Sequence, residues 1–242
     1  MTGTVKGRTE VQRSVDVNHR LHTPVCDILG CQYPIVLAGM GGVARSELVA
    51  AVTRAGGFGF LGMVREPPTL IENEARSVRE IVGHGSFGVN LIPAATAPDL
   101  LDAQIATCIA LTIPVIALFW DIQPTIVRRL KDAGVIVAYQ IGSVENAKQA
   151  EKVGADILIA QGREAGGHVW GNEPLRRLIP SGVAASKLPV LAAGGIVNGE
   201  DLVGGRHSYL RETGEGRCDL RGRRSWRNRA RGCGRRPRWR QP

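Results

Sequence analysis

The sequence predicts an α/β fold: an incomplete TIM-type (β/α)8 barrel of about seven βα units. Three observations predict it. From Pro34 onward, short aliphatic runs alternate with helical stretches, and glycine or proline marks nearly every junction. Several of the runs are apolar at nearly every position, as strands of a parallel sheet covered on both faces are. The alternation holds for seven units and then stops at Gly204-Gly205, one unit short of a closed barrel.

The first strand is expected over Ile35–Ala38, between Pro34 and the turn Gly39-Met40-Gly41-Gly42. A helix over Ser46–Ala55 follows, with Ser46 as N-cap and RAGG at its end, where a basic side chain and then glycine suit the dipole and a left-handed cap. Strand two, Phe58–Leu61, leads to a helix over Leu70–Val82 capped by Thr69. Strand three, Phe87–Leu91, leads to Pro98–Leu111, with proline in the first helical turn. Pro114–Phe119 and Val135–Gln140 are strands four and five, separated by a helix over Pro124–Ala133 that ends in KDAG. A helix over Val144–Val153, capped by Ser143 and ended by KVGAD, precedes strand six at Ile157–Gln161. Pro174–Ala185 and Val190–Ala193 complete the seventh unit.

A doubly wound open sheet is the competing architecture. It would place an acidic residue at the end of the second strand to hold a ribose. GMGGVA does follow strand one, but strand two ends Phe60-Leu61-Gly62-Met63 without an acid, so the barrel is preferred.

Composition divides the chain. Residues 206–242 hold 13 Arg and no Lys against Glu212, Glu215 and Asp219, a net charge of +10; residues 1–205 keep 18 basic and 19 acidic residues, net −1. The alkaline balance therefore belongs to the tail, and the body has no basic stripe for nucleic acid. The domains expected are a flexible leader over 1–20, a barrel over 21–205, and a disordered basic tail over 206–242. The tail composition is that of an out-of-frame reading of GC-rich DNA, and a frameshift near Gly204–Arg206 is the favoured account. An RNA-binding arm with Trp226 and Trp239 stacking on bases is the alternative. Five cysteines without a CxxC pair indicate neither a disulfide framework nor a metal site. The chain has no apolar run of about 20 residues and no signal-peptide segment, so the expected location is cytoplasmic.

In a barrel, chemistry gathers at the C-terminal ends of the strands. Strand one ends in Gly39 and Met40, strand three in Asn90, strand five in Gln140, and strand six in Gln161 followed by Glu164-Ala165-Gly166-Gly167-His168. Two adjacent glycines let backbone approach a flat ligand, and a histidine beside them moves protons near neutral pH. A glycine turn with a surface histidine is the plain alternative. Strand seven ends in Gly194-Gly195-Ile196, either an anion cradle of backbone amides or a tight turn. Asn90 and Gln161 either meet a heterocycle or satisfy backbone, and Met40 either packs or presents its amide.

In this order and spacing, PIVLAGMGGVA, AGGFGFLG, FGVNLI, GADILIAQGREAGGHVWG and PVLAAGGIVNGEDLV resemble the nitronate monooxygenase family, formerly the 2-nitropropane dioxygenases. The resemblance runs from about Leu21 to Val203, and AQGxEAGGH is its most specific element. It implies an FMN-dependent flavoprotein that oxidises alkyl nitronates with dioxygen to a carbonyl compound and nitrite. By position it implies backbone contacts to flavin from Gly39 and Met40, side-chain contacts from Asn90 and Gln161, and a phosphate beside Gly166, Gly194 and Gly195. It makes His168 the catalytic group, taking a proton from a nitroalkane or, when protonated, holding the nitronate. The small-molecule substrate and dioxygen are then the partners, and neither membrane nor nucleic acid is expected.

Two departures from the family pattern stand out. Val169-Trp170-Gly171 adds one residue after EAGGH, and no complete seventh helix, eighth strand or glycine-threonine phosphate turn follows GGIVNG. A truncated, inactive barrel is therefore one expectation. An FMN-dependent enoyl-acyl-carrier-protein reductase and a remnant that holds no FMN are the others.

Overall fold

The computed structural model describes residues 21–202. The expected leader, 1–20, and the expected arginine-rich tail, 206–242, lie outside the described residues. One sheet of seven parallel strands runs in chain order: β1 (Val36–Leu37), β2 (Phe58–Gly62), β3 (Phe87–Leu91), β4 (Val115–Leu118), β5 (Ile136–Ile141), β6 (Ile157–Gln161) and β7 (Val190–Ala193). Each strand pairs with its successor, and among the described residues β1 does not close onto β7. The sheet is a curled, incomplete barrel, as the interrupted repeat requires.

Helices α2 (Ser46–Arg54), α3 (Pro68–Val82), α4 (Pro98–Ala110), α5 (Pro124–Asp132), α6 (Val144–Val153) and α7 (Leu175–Ala185) cross over between consecutive strands. Two elements are absent from the sequence-based expectation: α1 (Pro24–Leu29), ahead of β1, and a 3-10 turn at Pro93–Ala95. α1 has a short sequence signal, Thr23-Pro24 at its start and a left-handed Gly30 (φ 68°) at its end. Six residues are too few for a clear period.

The caps are partly as expected. Ser143 Oγ accepts from Asn146 N. Thr69 instead lies inside α3, which starts at Pro68, and Ser46 is the first residue of α2, where its N–H donates to the Glu74 carboxylate. A side chain from the neighbouring helix has replaced the local cap. Past β7, residues 199–202 are helical; Asn198 Oδ1 accepts from Asp201 N, and the Asp201 carboxylate accepts from Val197 N. A capped first helical turn is thus present after β7, and the rest of the segment expected to lack a complete helix lies outside the described residues.

The core lies on both sides of the sheet. Leu61, Val89, Leu91, Ile116, Leu118, Val137 and Leu158 pack outward against the helices. Phe58, Phe60, Val115, Ala117, Ala138 and Ile157 fill the interior, with Val25 and Leu29 of α1 beneath them. The period-2 alternation is visible in β4, where Val115 and Ala117 point in while Ile116 and Leu118 point out. Each phenylalanine so enclosed contributes about 2–3 kcal/mol of burial. Among the described residues no helix is long and apolar enough to cross a membrane.

Candidate active site

The strand ends open onto a cavity of about 820 Å³ with a mostly apolar wall. Gly39, Met40, Asn90, Gln161, Gly166, His168 and Gly194 all line it; Gly195 does not. Gln140, noted at the end of strand five, lines it as well.

Close backbone approach explains the glycines at β1. A Cβ on Gly39 would lie 2.3 Å from Asn90 Cβ, and one on Gly62 would lie 2.3 Å from the Met40 carbonyl. The first loop is therefore pressed against the ends of β2 and β3, which puts the Gly39–Met40 backbone into the cavity wall. Asn90 is 8% exposed and makes one long bond, Nδ2 to the Ala117 carbonyl at 3.5 Å. Its amide retains most of its hydrogen-bonding capacity.

Gln161, the last residue of β6, donates through Nε2 to the His168 carbonyl at 3.0 Å. Its Oε1 is buried without a partner. One carboxamide thus ties down the histidine loop and leaves an acceptor unsatisfied, a state that costs about 1–3 kcal/mol unless a ligand relieves it. Gly167 holds φ at 75°, and His168 is exposed at the mouth.

The strand-six and strand-seven turns lock together. Gly194 (φ 103°) and Gly195 (φ 71°) adopt left-handed conformations. A Cβ on Gly194 would come within 2.8 Å of Ala165, and one on Gly195 within 3.2 Å of Glu164 Cβ. Gly195 therefore packs against the strand-six loop rather than facing the cavity. Glu164 Oε2 accepts from Leu175 N at 3.0 Å, so its carboxylate closes the loop onto the start of α7. That backbone N–H holds the Glu164 carboxyl below its ordinary range, with Arg163 and Arg176 adding to the effect. Val169-Trp170-Gly171 returns the loop to β5: a Cβ on Gly171 would sit 2.1 Å from the Gly142 carbonyl.

Sequence reasoning missed three contributors. Trp120 follows β4 with φ 61°, stacks on Phe119 (centroids 4.8 Å apart) and meets the His168 ring edge-on at 5.4 Å. Tyr139 of β5 fixes that loop: its hydroxyl donates to the Asp121 carbonyl at 2.7 Å and accepts from Gln123 N at 3.1 Å. Burial pushes this phenol up to about 12. Arg65, also in the left-handed region (φ 60°), lines the cavity from the β2 loop. The strand-end rule would have found Trp120; only tertiary contact identifies the other two.

The described residues contain no group of three or more His, Cys, Asp or Glu suited to a metal. The wall instead offers apolar surface, two carboxamides, glycine backbone and one imidazole.

The chain is similar to several known proteins. The family model described as nitronate monooxygenase matches residues 22–204. A Rhodococcus jostii (strain RHA1) protein, (3aS,4S,5R,7aS)-5-hydroxy-7a-methyl-1-oxo-octahydro-1H-indene-4-carboxyl-CoA dehydrogenase, is 35% identical over 183 residues, 75% of this chain and 50% of the relative. A probable nitronate monooxygenase of Staphylococcus aureus (strain MSSA476) is 30% identical over 218 residues, 73% of this chain and 61% of the relative. Among solved structures, FabK from Thermotoga maritima superposes with a TM-score of 0.73 at 31% identity, covering 77% of this chain and 58% of that one. The chain spans about half the length of the first of these curated relatives.

Proposed function

We propose, from the premise that the chain belongs to the nitronate monooxygenase family of flavin-dependent oxidoreductases, that its site takes FMN and oxidises alkyl nitronates with dioxygen to a carbonyl compound and nitrite. The observation that carries this reading is the Gln161 side chain, which lines the cavity with Nε2 holding the loop of His168 and Oε1 buried without a partner. A heterocycle with N–H groups would satisfy that acceptor. Asn90 and the Gly39–Met40 backbone line the same wall, and Gly194 lies at its rim. These residues fit FMN: Gly39, Met40, Asn90 and Gln161 would hold the ring, and Gly166 and Gly194 would lie toward the phosphate, whereas Gly195 packs against Glu164 outside the cavity.

When bound, the flavin supplies the electron transfer that no side chain of this site can perform. The chain supplies position and proton control. His168 accepts a proton from a neutral nitroalkane through a ring nitrogen or, protonated, donates a charge-assisted hydrogen bond to a nitronate oxygen. Trp120 fixes the ring edge, Gln161 fixes its backbone, and the apolar wall excludes competing water.

The test is anaerobic mixing of FMN-loaded protein with propyl-2-nitronate. Bleaching of the flavin band is expected, and His168→Ala should lower kcat/KM by about 10²–10⁴-fold. A protein that stays colourless after exposure to FMN would instead be a non-catalytic remnant. A second reading, turnover of an acyl thioester as in an enoyl reductase, is favoured by the 35% identity to a CoA-thioester dehydrogenase. Fast bleaching by NADPH with none by nitronate would select it.

A further inference from the structure

Two of the described residues lining the cavity have ionisable side chains, Arg65 and His168, and both are basic. No carboxylate lines it. A ligand of this cavity therefore meets positive charge or none.

Arg65 is held in an unusual way. Its φ of 60° is uncommon for a residue with a side chain and persists only where the surroundings impose it. The imposing contacts surround it on both sides. Gln104 Nε2 donates to the carbonyls of Met63 (2.9 Å) and Glu66 (2.6 Å). The Arg45 guanidinium donates to the Gly62 carbonyl and pairs with the Glu66 carboxylate. Arg65 itself donates through Nε to the Ala95 carbonyl on the β3 loop. That uses one of five N–H donors and anchors the guanidinium plane. No ion pair engages Arg65 among the described residues. The loop spends its bonds on presenting this cation, while the neighbouring Arg45 takes the available carboxylate.

Its position sets what it can recognise. Arg65 follows β2 and His168 follows β6, four strands apart, about half the circumference of a complete eight-stranded barrel. At a strand spacing of ~4.8 Å and a tilt of ~36°, the two loops start on the order of 15 Å apart across the mouth. A short nitronate held by His168 spans only part of that distance. The glycine turn assigned to the cofactor phosphate follows β7, which leaves Arg65 free of that anion too.

We propose that Arg65 is a substrate-binding residue that holds an oxyanion, phosphate or carboxylate, at the end of the substrate remote from the reacting atoms. The substrate class is then a nitronate or thioester whose far end carries a phosphate or a carboxylate. The inference rests on the reading of His168 as the reacting end of the site.

The test is calorimetric titration of the full-length, FMN-supplied chain with three probes: coenzyme A for the phosphate source, suberate for the carboxylate source, and propyl-2-nitronate for the reacting end. Arg65→Ala should weaken coenzyme A or suberate by about tenfold, and the loss should shrink as salt rises. Arg65→Lys should keep most of the affinity, and propyl-2-nitronate should change by less than about twofold. Arg65→Gly, which relaxes the backbone, should bind as weakly as Arg65→Ala. The inference is overturned if both long probes bind Arg65→Ala as they bind the unaltered chain, if neither binds the unaltered chain, or if all three probes weaken alike. Should nitronate fail to bleach the flavin while one long probe still depends on Arg65, the nitronate reading falls and this one stands.

Discussion

The middle of the sheet and its two margins follow different rules. β2, β3 and β4 are buried at every position, enclosed by helices outside and by Phe58, Phe60 and Val115 inside. β1 and β7 are only half-buried throughout, and Ile35, just before β1, is 50% exposed. The candidate site draws from both: Asn90 comes from β3 and Gln161 from the largely buried β6, whereas Gly39, Met40 and Gly194 come from the margins. Enclosed strands supply side chains of fixed direction, and the margins supply backbone that glycine lets approach closely.

The contrast can be broken most directly in the interior. Phe60→Ala should cost about 3–5 kcal/mol by urea denaturation, because its neighbours cannot collapse into the space, whereas Ile35→Ala should stay within about 0.5 kcal/mol. Equal losses would mean that the margin is as well packed as the middle. A smaller effect separates the glycines. Gly194→Ala must move Ala165 and strain a φ of 103°, so FMN retention, measured by flavin fluorescence, should fall by about tenfold or more. Gly199→Ala faces open space outside the cavity lining and should change it little. Similar losses for both would place the phosphate elsewhere.

The smallest effect is a pH dependence. The Leu175 N–H holds the folded-state pKa of Glu164 below its unfolded value, so its contribution is complete above the ordinary carboxylate range and is lost as pH falls through the depressed value. The strand-six loop should therefore loosen only in acid, seen as faster hydrogen exchange at Leu175. Glu164→Gln should abolish that step; an unchanged profile would show that the carboxylate does not hold the loop.

The strands were legible because each is a short apolar run between glycine or proline, and a parallel strand covered on both faces needs little else. Most of the expected site residues line the cavity, and they were legible for the same reason, since a strand end is a fixed address in a barrel. What escaped was set by tertiary contact. α1 is too short to show a period, yet Val25 and Leu29 close the floor. Ser46 looked like a cap, but Glu74 took its N–H from a neighbouring helix. Trp120, Tyr139 and Arg65 matter through a left-handed backbone or a partner many residues away, and no local pattern records either.

The Gln161 carboxamide makes the order of assembly a thermodynamic matter. The amide is a rigid plane, so a ligand that donates to Oε1 also fixes the direction of Nε2 and with it the bond to the His168 carbonyl. By reciprocity, whatever immobilises the histidine loop raises affinity for that ligand by the same factor. Under the proposed function, cofactor occupancy and the readiness of His168 would be one coupled equilibrium, turned on a single side chain.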